Sequence, residues 1–213
     1  KYLCTPFSYK AACELNEIGV DFFKIGSGEF TDIPFIKKLC KFGKPIIFST
    51  GMSTISDIDY MYNFLNKHKR NEVAFMNCTS EYPPELKDIN LKFITKMKKK
   101  YPNFVIGHSD HTNQIYTSIA AATLGAKIIE KHITLNNNMK GPDHKASLNP
   151  KKFKELVTKI RNVEILLGNY LKRPSKSELK NKKIVRKSIV AKNNIKKGEI
   201  FSDTNIICKR PEG

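Results

Sequence analysis

Two histidines follow carboxylate-bearing residues at the ends of neighbouring apolar runs, in the strings Ser109-Asp110-His111 and Glu130-Lys131-His132. Adjacent strands lie about 4.8 Å apart, so imidazoles projecting from neighbouring strand ends can reach one cation. Two protein nitrogens leave the other positions to water, substrate oxygens or a carboxylate. That suits a six-coordinate ion such as Mn²⁺ better than a closed structural zinc. Either histidine alone reads more simply as a hydrogen-bonded residue at a strand terminus; the pairing is what favours a metal. Asp110 and Glu130 could each orient a ligand, accept a proton or bind a metal-bound water. Lys24 leads into Ile25-Gly26-Ser27-Gly28-Glu29, where loop N–H groups, a hydroxyl and an ammonium offer what a phosphate needs. Glycine-rich turns after strands are common, but Ser49, Thr79, Ser80 and Ser109 end other runs and add hydroxyls to the same mouth. Lys131 or Lys24 could form a Schiff base, although the place of Lys131 between Glu130 and His132 can equally turn it into the barrel wall. Asp143, in Gly141-Pro142-Asp143-His144, could hold sugar hydroxyls or simply stabilise a turn.

The elements that must position these groups alternate. Apolar runs at Phe22–Ile25, Pro45–Phe48, Val73–Met76, Phe104–Ile106 and Lys127–Ile129 each precede a stretch of helical spacing, and Tyr2-Leu3-Cys4 reads as the end of another strand. Helices are expected at Tyr9–Ile18, Ile33–Phe42, Ile115–Leu124 and Pro150–Leu167, closed by Gly19, Gly43, Gly125 and Gly168. Ser53 or Thr54 opens a helix through Leu65, and Thr54 with Asp57 has capping-box spacing. Six strand ends carrying small or ionisable residues, spaced about 22 to 30 residues apart, fit an α/β chain folding as a partial (β/α)₈ TIM barrel of about six of the eight strands. The other two are expected before Lys1, so the sequence reads as a fragment. A doubly wound sheet is the alternative, but its phosphate fingerprints are absent. The expected boundaries are a barrel over 1–169, a polar linker over 170–182 and a small piece over 183–213. That last piece holds strands at Ser188–Ala191 and Ile206–Cys208 and a turn at Ile195–Glu199.

The 213 residues carry 38 basic and 20 acidic side chains, a formal charge of +18. Most of the basic residues are lysines spread over nearly every segment, including Lys96–Lys100 at an expected helix end. A nucleic-acid reader usually concentrates charge and uses arginine forks, so no nucleic-acid partner is expected; a noncatalytic polyanion binder stays as an alternative. Five cysteines without a CxxC pair give no disulfide framework, and the expected setting is reducing and cytoplasmic. No run approaches the roughly 18 apolar residues of a membrane span.

Taken in order, seven runs resemble the N-acetylneuraminate (sialic acid) synthase family, legionaminic acid synthases included. They are Cys4-Thr5-Pro6-Phe7, Lys24 to Glu29, Ser49-Thr50-Gly51-Met52, Cys78-Thr79-Ser80 with Tyr82-Pro83, Ser109-Asp110-His111-Thr112, Glu130-Lys131-His132 and Gly141-Pro142-Asp143-His144. Arg186-Lys187-Ser188 and Lys209-Arg210-Pro211 resemble the family's C-terminal antifreeze-like (SAF) domain, here truncated at Gly213. The resemblance implies condensation of phosphoenolpyruvate with N-acetylmannosamine or a related N-acetylated hexosamine, with release of phosphate. It implies that His111 and His132 hold Mn²⁺ or Mg²⁺. Thr5, Lys24, Ser27, Ser49, Ser80 and Ser109 would bind phosphoenolpyruvate, and Tyr82 and Asp143 would meet the sugar. Arg210 would reach it from the partner subunit of a domain-swapped homodimer. Glu130 and Asp110 stand as the catalytic candidates, and a Schiff-base barrel aldolase as the remaining alternative. Two departures count against competence of the chain as written: two barrel strands are absent, with a family glutamate and lysine, and the small domain is clipped. The Gly26–Glu29 and Gly141–His144 runs look more like synthases of sialic or legionaminic acid than of pseudaminic acid.

Overall fold

The computed structural model describes residues 2–70 and 72–211, and the chain divides into two units, Lys1–Gly168 and Asn169–Gly213. In the first, strands β1 (Phe23–Ile25), β2 (Ile46–Ser49), β3 (Val73–Cys78), β4 (Val105–Asp110) and β5 (Ile129–Lys131) form one sheet in chain order, every neighbouring pair parallel. Helix α1 (Tyr9–Ile18) precedes β1. Helices α2 (Ile33–Leu39), α3 (Ile55–Lys67), α4 (Lys92–Lys100) and α5 (Tyr116–Thr123) connect successive strands, and α6 (Pro150–Leu167) follows β5. The strand order never reverses, so the sheet has no switch point of the doubly wound kind; right-handed crossovers then put the connecting helices on one side while the sheet curls around the other.

Strand periodicity divides the two faces. Phe23, Ile25, Ile46, Phe48, Val73, Phe75, Ile106 and Ile129 turn toward the helices, where they pack with Leu15, Ile36, Leu65, Ile94 and Ala121 in one core. Phe75 is its centre: its ring meets Phe30, Phe48, Tyr101 and Phe104 edge-on, with centroids 5.1 to 6.0 Å apart. Phe75→Ala is expected to lower unfolding stability by about 3–5 kcal/mol, because four aromatic neighbours cannot all collapse into the vacated space; urea denaturation measures it. Alternate positions on the opposite face carry Lys24, Ser49, Met76, Cys78, Ser109 and Glu130.

Local chemistry fixes the helix ends. Ser8 caps α1 by accepting from the Ala11 N–H, and Gly19 closes it at φ 89°. Thr54 and Asp57 form the expected capping box on α3. Helix α2 tightens into a 3₁₀ turn over Cys40–Phe42 before Gly43 at φ 74°. Two features differ from the sequence reading and one agrees. Tyr2-Leu3-Cys4 joins no ladder: β1 is paired with β2 alone, and an extended segment becomes a strand only when its N–H and C=O groups are paired, so the described sheet has five strands rather than six. Strands β3, β4 and β5 end, as expected, in polar residues beyond their apolar stretches, at Cys78, Asp110 and Lys131, because polar side chains cost the ladder nothing when they find partners. The segment read as linker over 170–182 holds most of helix α7 (Lys176–Val185), opened by a Ser175–Glu178 capping box that outweighs its polar composition.

In the second unit, β6 (Ser188–Ala191) and β7 (Ile206–Lys209) pair antiparallel with Ser188 opposite Lys209. Gly198, at φ 88°, forms part of the turn region between them. Among the described residues no helix is long and apolar enough to cross a membrane.

Candidate active site

The curl of the sheet is visible in a single ion pair. Strands β1 and β5 lie at opposite edges of the described sheet, four steps of about 4.8 Å apart, or roughly 19 Å if it were flat. Yet the Lys24 ammonium on β1 lies 3.3 Å from Glu130 Oε2 on β5. A lysine and a glutamate cannot bridge the flat distance, so the two edges have swung toward each other across a concave mouth. Lys24 also donates to Ser49 Oγ at 2.8 Å, and Ser109 Oγ donates to Glu130 Oε1 at 2.6 Å. Four strands thus supply one connected network of ammonium, two hydroxyls and a carboxylate. Lys24, Ser49 and Ser109 are buried, whereas the Glu130 side chain keeps 41% of its exposure.

Beside this network stand the two histidines. His111 Nδ1 lies 2.7 Å from the Thr79 carbonyl, which can only accept, so that nitrogen carries the proton and Nε2 keeps its lone pair. Ser109 Oγ is 3.3 Å from Nε2, but its one proton is engaged at the shorter distance by Glu130. Burial holds the His111 pKa below the ordinary histidine range, with the Thr79 carbonyl opposing, which favours the neutral ring a metal requires. The His132 ring lies 5.3 Å from that of His111, centroid to centroid, and its Nδ1 is 3.9 Å from Asp143 Oδ2. Tyr82 stacks on His111 at 4.1 Å and meets His132 edge-on at 5.5 Å; burial raises the pKa of its phenol. Among the described residues no group of three or more His, Cys, Asp or Glu converges on one point. Rings about 5 Å apart could serve as adjacent ligands of one cation with metal–nitrogen bonds of about 2.1 Å. The pair suits an ion that takes the rest of its shell from ligand or water oxygens.

A second cradle lies around Gly51. Its N–H donates to Ser27 Oγ at 3.1 Å, and Ser27 Oγ is 3.6 Å from Cys78 Sγ. A Cβ placed on Gly51 would sit 2.1 Å from Ser80 Oγ, 2.7 Å from Ser27 Oγ and 3.2 Å from Cys78 Sγ. Only glycine lets these three groups close on the main chain. Thr5 approaches the loop after β1, its methyl 3.9 Å from a Cβ built on Gly26, with Glu29 Oε2 at 2.9 Å.

Two expected residues are elsewhere. Asp110 and Lys131 alternate with Ser109, His111, Glu130 and His132 along their strands, so they face the helices rather than the mouth. There they form a buried ion pair at 2.9 Å, with side chains 0% and 1% exposed. Asp110 also accepts from Ser118 Oγ at 2.5 Å and from the Thr112 N–H at 2.9 Å. Burial alone would raise the pKa of Asp110, but the Lys131 ammonium and these hydrogen bonds outweigh it and hold the carboxyl below the usual range. Burial lowers the pKa of Lys131. The catalytic role expected for Asp110 is thereby corrected, and Lys131 is not placed to form a Schiff base with a substrate in the mouth. Arg210 belongs to the second unit, where its Nε donates to the Val185 carbonyl at 2.6 Å. Thr79 contributes its carbonyl rather than its hydroxyl, which donates to the Asp88 carbonyl. Nothing in residue type marks that carbonyl; Cys78, by contrast, lies two places beyond buried Met76 on the mouth face, a period-2 signal that was there to be read.

Comparison with known proteins places this arrangement. The NeuB family model matches residues 1–172. The chain is 49% identical over 212 residues to an N,N'-diacetyllegionaminic acid synthase of Campylobacter jejuni, covering 99% of this chain and 63% of that protein. It is 39% identical over 201 residues to the human N-acetylneuraminate-9-phosphate synthase, covering 93% and 56%. A crystal structure of the N-acetylneuraminic acid synthetase of Leptospira borgpetersenii, in complex with citrate, superposes with a TM-score of 0.77 at 34% identity, over 83% of this chain and 61% of that one. The chain thus spans less than two thirds of the length of each of these relatives. A match over most of its own length, and relatives of this identity carrying the same half-barrel of parallel strands, establish that the chain belongs to the NeuB family.

Proposed function

We propose that this chain belongs to a nonulosonate synthase, its first unit part of the barrel, which joins phosphoenolpyruvate to the aldehyde carbon of an N-acetylated hexosamine and releases phosphate. The observation that carries the reading is the network of Lys24, Ser49, Ser109 and Glu130 drawn across the mouth beside two imidazoles. Lys24 and the hydroxyls of Ser27, Ser49, Ser80 and Ser109, with Thr5 at the rim, would neutralise and orient the phosphoenolpyruvate anion. Tyr82 and Asp143 would face the sugar. His111 and His132 would hold Mn²⁺ or Mg²⁺, which when bound polarises the aldehyde oxygen. The C=C electrons of phosphoenolpyruvate form the new C–C bond to the aldehyde carbon, whose oxygen becomes an alkoxide while the phosphate-bearing carbon becomes an oxocarbenium. Water adds at that carbon and gives one proton to Glu130, which passes it to the alkoxide; the remaining hydroxyl proton goes to the departing phosphate as the C–O bond breaks and the ketone forms. The proposal extends to the SAF identity of the second unit, a domain boundary near residue 169, a swapped homodimer that brings Arg210 to the sugar, and a cytoplasmic setting. Agreement with N,N'-diacetyllegionaminic acid synthases and with N-acetylneuraminate-type synthases leaves both amino sugars as test substrates.

In the protein that contains this chain, phosphate release from phosphoenolpyruvate should require N-acetylmannosamine or a diacetamido hexose. EDTA should stop it and Mn²⁺ should restore it. Release unaffected by EDTA would overturn the metal role, and a borohydride-trapped adduct on a lysine would replace the reading with a Schiff-base aldolase. Gly51→Ala should raise KM for phosphoenolpyruvate about a hundredfold, or ~2.7 kcal/mol, since the new methyl displaces Ser80 and Ser27 from the cradle. Steady-state kinetics with folding monitored by circular dichroism measures this effect.

A further inference from the structure

The buried ion pair between Asp110 and Lys131 lies outside the mouth, yet it is attached to both sides of it. The two residues are Cα partners in the β4–β5 ladder and the last residue of each strand. Each immediately precedes a histidine. Lys131 Nζ donates to the Thr112 carbonyl and lies 3.2 Å from Thr112 Oγ1, while Asp110 Oδ1 accepts from the Thr112 N–H. The ammonium whose own residue adjoins His132 therefore holds the Asp110 carboxylate on one flank of His111 and the Thr112 main-chain carbonyl on the other. Ser118 Oγ ties the same carboxylate to α5, so the clamp is anchored in the helical layer. A buried pair of this kind demands tight geometry and contributes little net stability against an apolar replacement, which leaves positional specificity as its use. Beyond β5 the chain is held by a bridge from Ile133 to Leu148, and the His132 carbonyl accepts from the Leu148 N–H at 2.9 Å, whereas residues 111 and 112 join no ladder and would otherwise fray where the His111 ring projects.

We propose that Asp110 and Lys131 are positioning residues for the histidine pair, fixing the separation of the His111 and His132 rings from the opposite face of the sheet. The consequence for metal binding rests on the proposed synthase reading; the consequence for ring separation does not.

The test is the double variant Asp110→Leu/Lys131→Met, in which both charges are removed together, made in the protein that contains this chain. Two readouts are decisive: Mn²⁺ affinity by electron paramagnetic resonance, and ring separation in a metal-free crystal structure. The folded double variant is expected to bind Mn²⁺ about 10–100-fold more weakly, as loss of outer support for a ligand typically does. Its rings are expected to leave the 5.3 Å arrangement. Phosphoenolpyruvate affinity by calorimetry should fall less than Mn²⁺ affinity does, because Lys24 and Ser49 lie on other strands and only Ser109 adjoins the substituted pair. A folded variant with wild-type ring separation and wild-type Mn²⁺ affinity overturns the proposal. Should the double variant fail to fold, Asp110→Asn, which keeps the volume and an oxygen for Ser118, is read by the same two measurements against the same criteria. Absence of Mn²⁺ binding by the unsubstituted protein would overturn the metal reading instead, and ring separation would still decide the positioning role.

Discussion

Lys24→Met is expected to reduce kcat/KM for phosphoenolpyruvate about a thousandfold, or ~4 kcal/mol of transition-state stabilisation. The ammonium is buried at the centre of the mouth, donates to Ser49 and offsets the Glu130 carboxylate at 3.3 Å. Methionine keeps the stem and its packing but removes the charge. A multiply charged phosphate ester would then enter a site in which Glu130 repels it and nothing on β1 compensates for its lost hydration. Glu130 retains contact with solvent, so the variant should fold, with a melting temperature within a few degrees of the parent. Phosphate-release kinetics in the protein containing this chain provides the measurement, and a loss smaller than tenfold would show that the anion binds elsewhere.

His111→Ala should abolish stimulation by Mn²⁺ and lower turnover by about three orders of magnitude. One of two ring nitrogens is lost, and Tyr82 loses the face on which it stacks. Phosphoenolpyruvate binding should stay within about threefold, since Lys24 and Ser49 are held independently on β1 and β2. That split between intact anion binding and lost turnover separates a metal ligand from a residue that merely supports the fold. Calorimetry paired with metal-dependent kinetics measures both. Undiminished activity, still dependent on Mn²⁺, would exclude His111 from the metal site.

The frame was legible where side-chain chemistry is local. Gly19 and Gly43 ended helices because they adopt the left-handed conformation, and Thr54 with Asp57 opened one by satisfying its free N–H groups. The Ser175–Glu178 capping box carried an equal signal, but the lysine-rich surroundings of α7 hid it. Tyr2-Leu3-Cys4 failed as a strand because strand character depends on a partner that local sequence does not name. At the site, residue type pointed to Lys24, Ser49, Ser109, Glu130, His111 and His132. It misled at Asp110, whose carboxylate looks catalytic until alternation along β4 assigns it to the helical face. Seven hydrogen-bonding or ionising side chains in two tripeptides and a lysine cannot all face one way; consecutive strand residues must diverge. The Thr79 clasp on His111 was beyond reach for a different reason, since every residue has a carbonyl and only the fold decides which one meets a ring.

That clasp makes the orientation of the imidazole a property of the peptide backbone rather than of any side chain. Substitution at position 79 keeps the carbonyl in the chain and removes only the hydroxyl that donates to the Asp88 carbonyl. A compound that wedged under residues 79–82 and peeled the segment outward would do what no such substitution does, releasing the imidazole and withdrawing its Tyr82 cover in one movement.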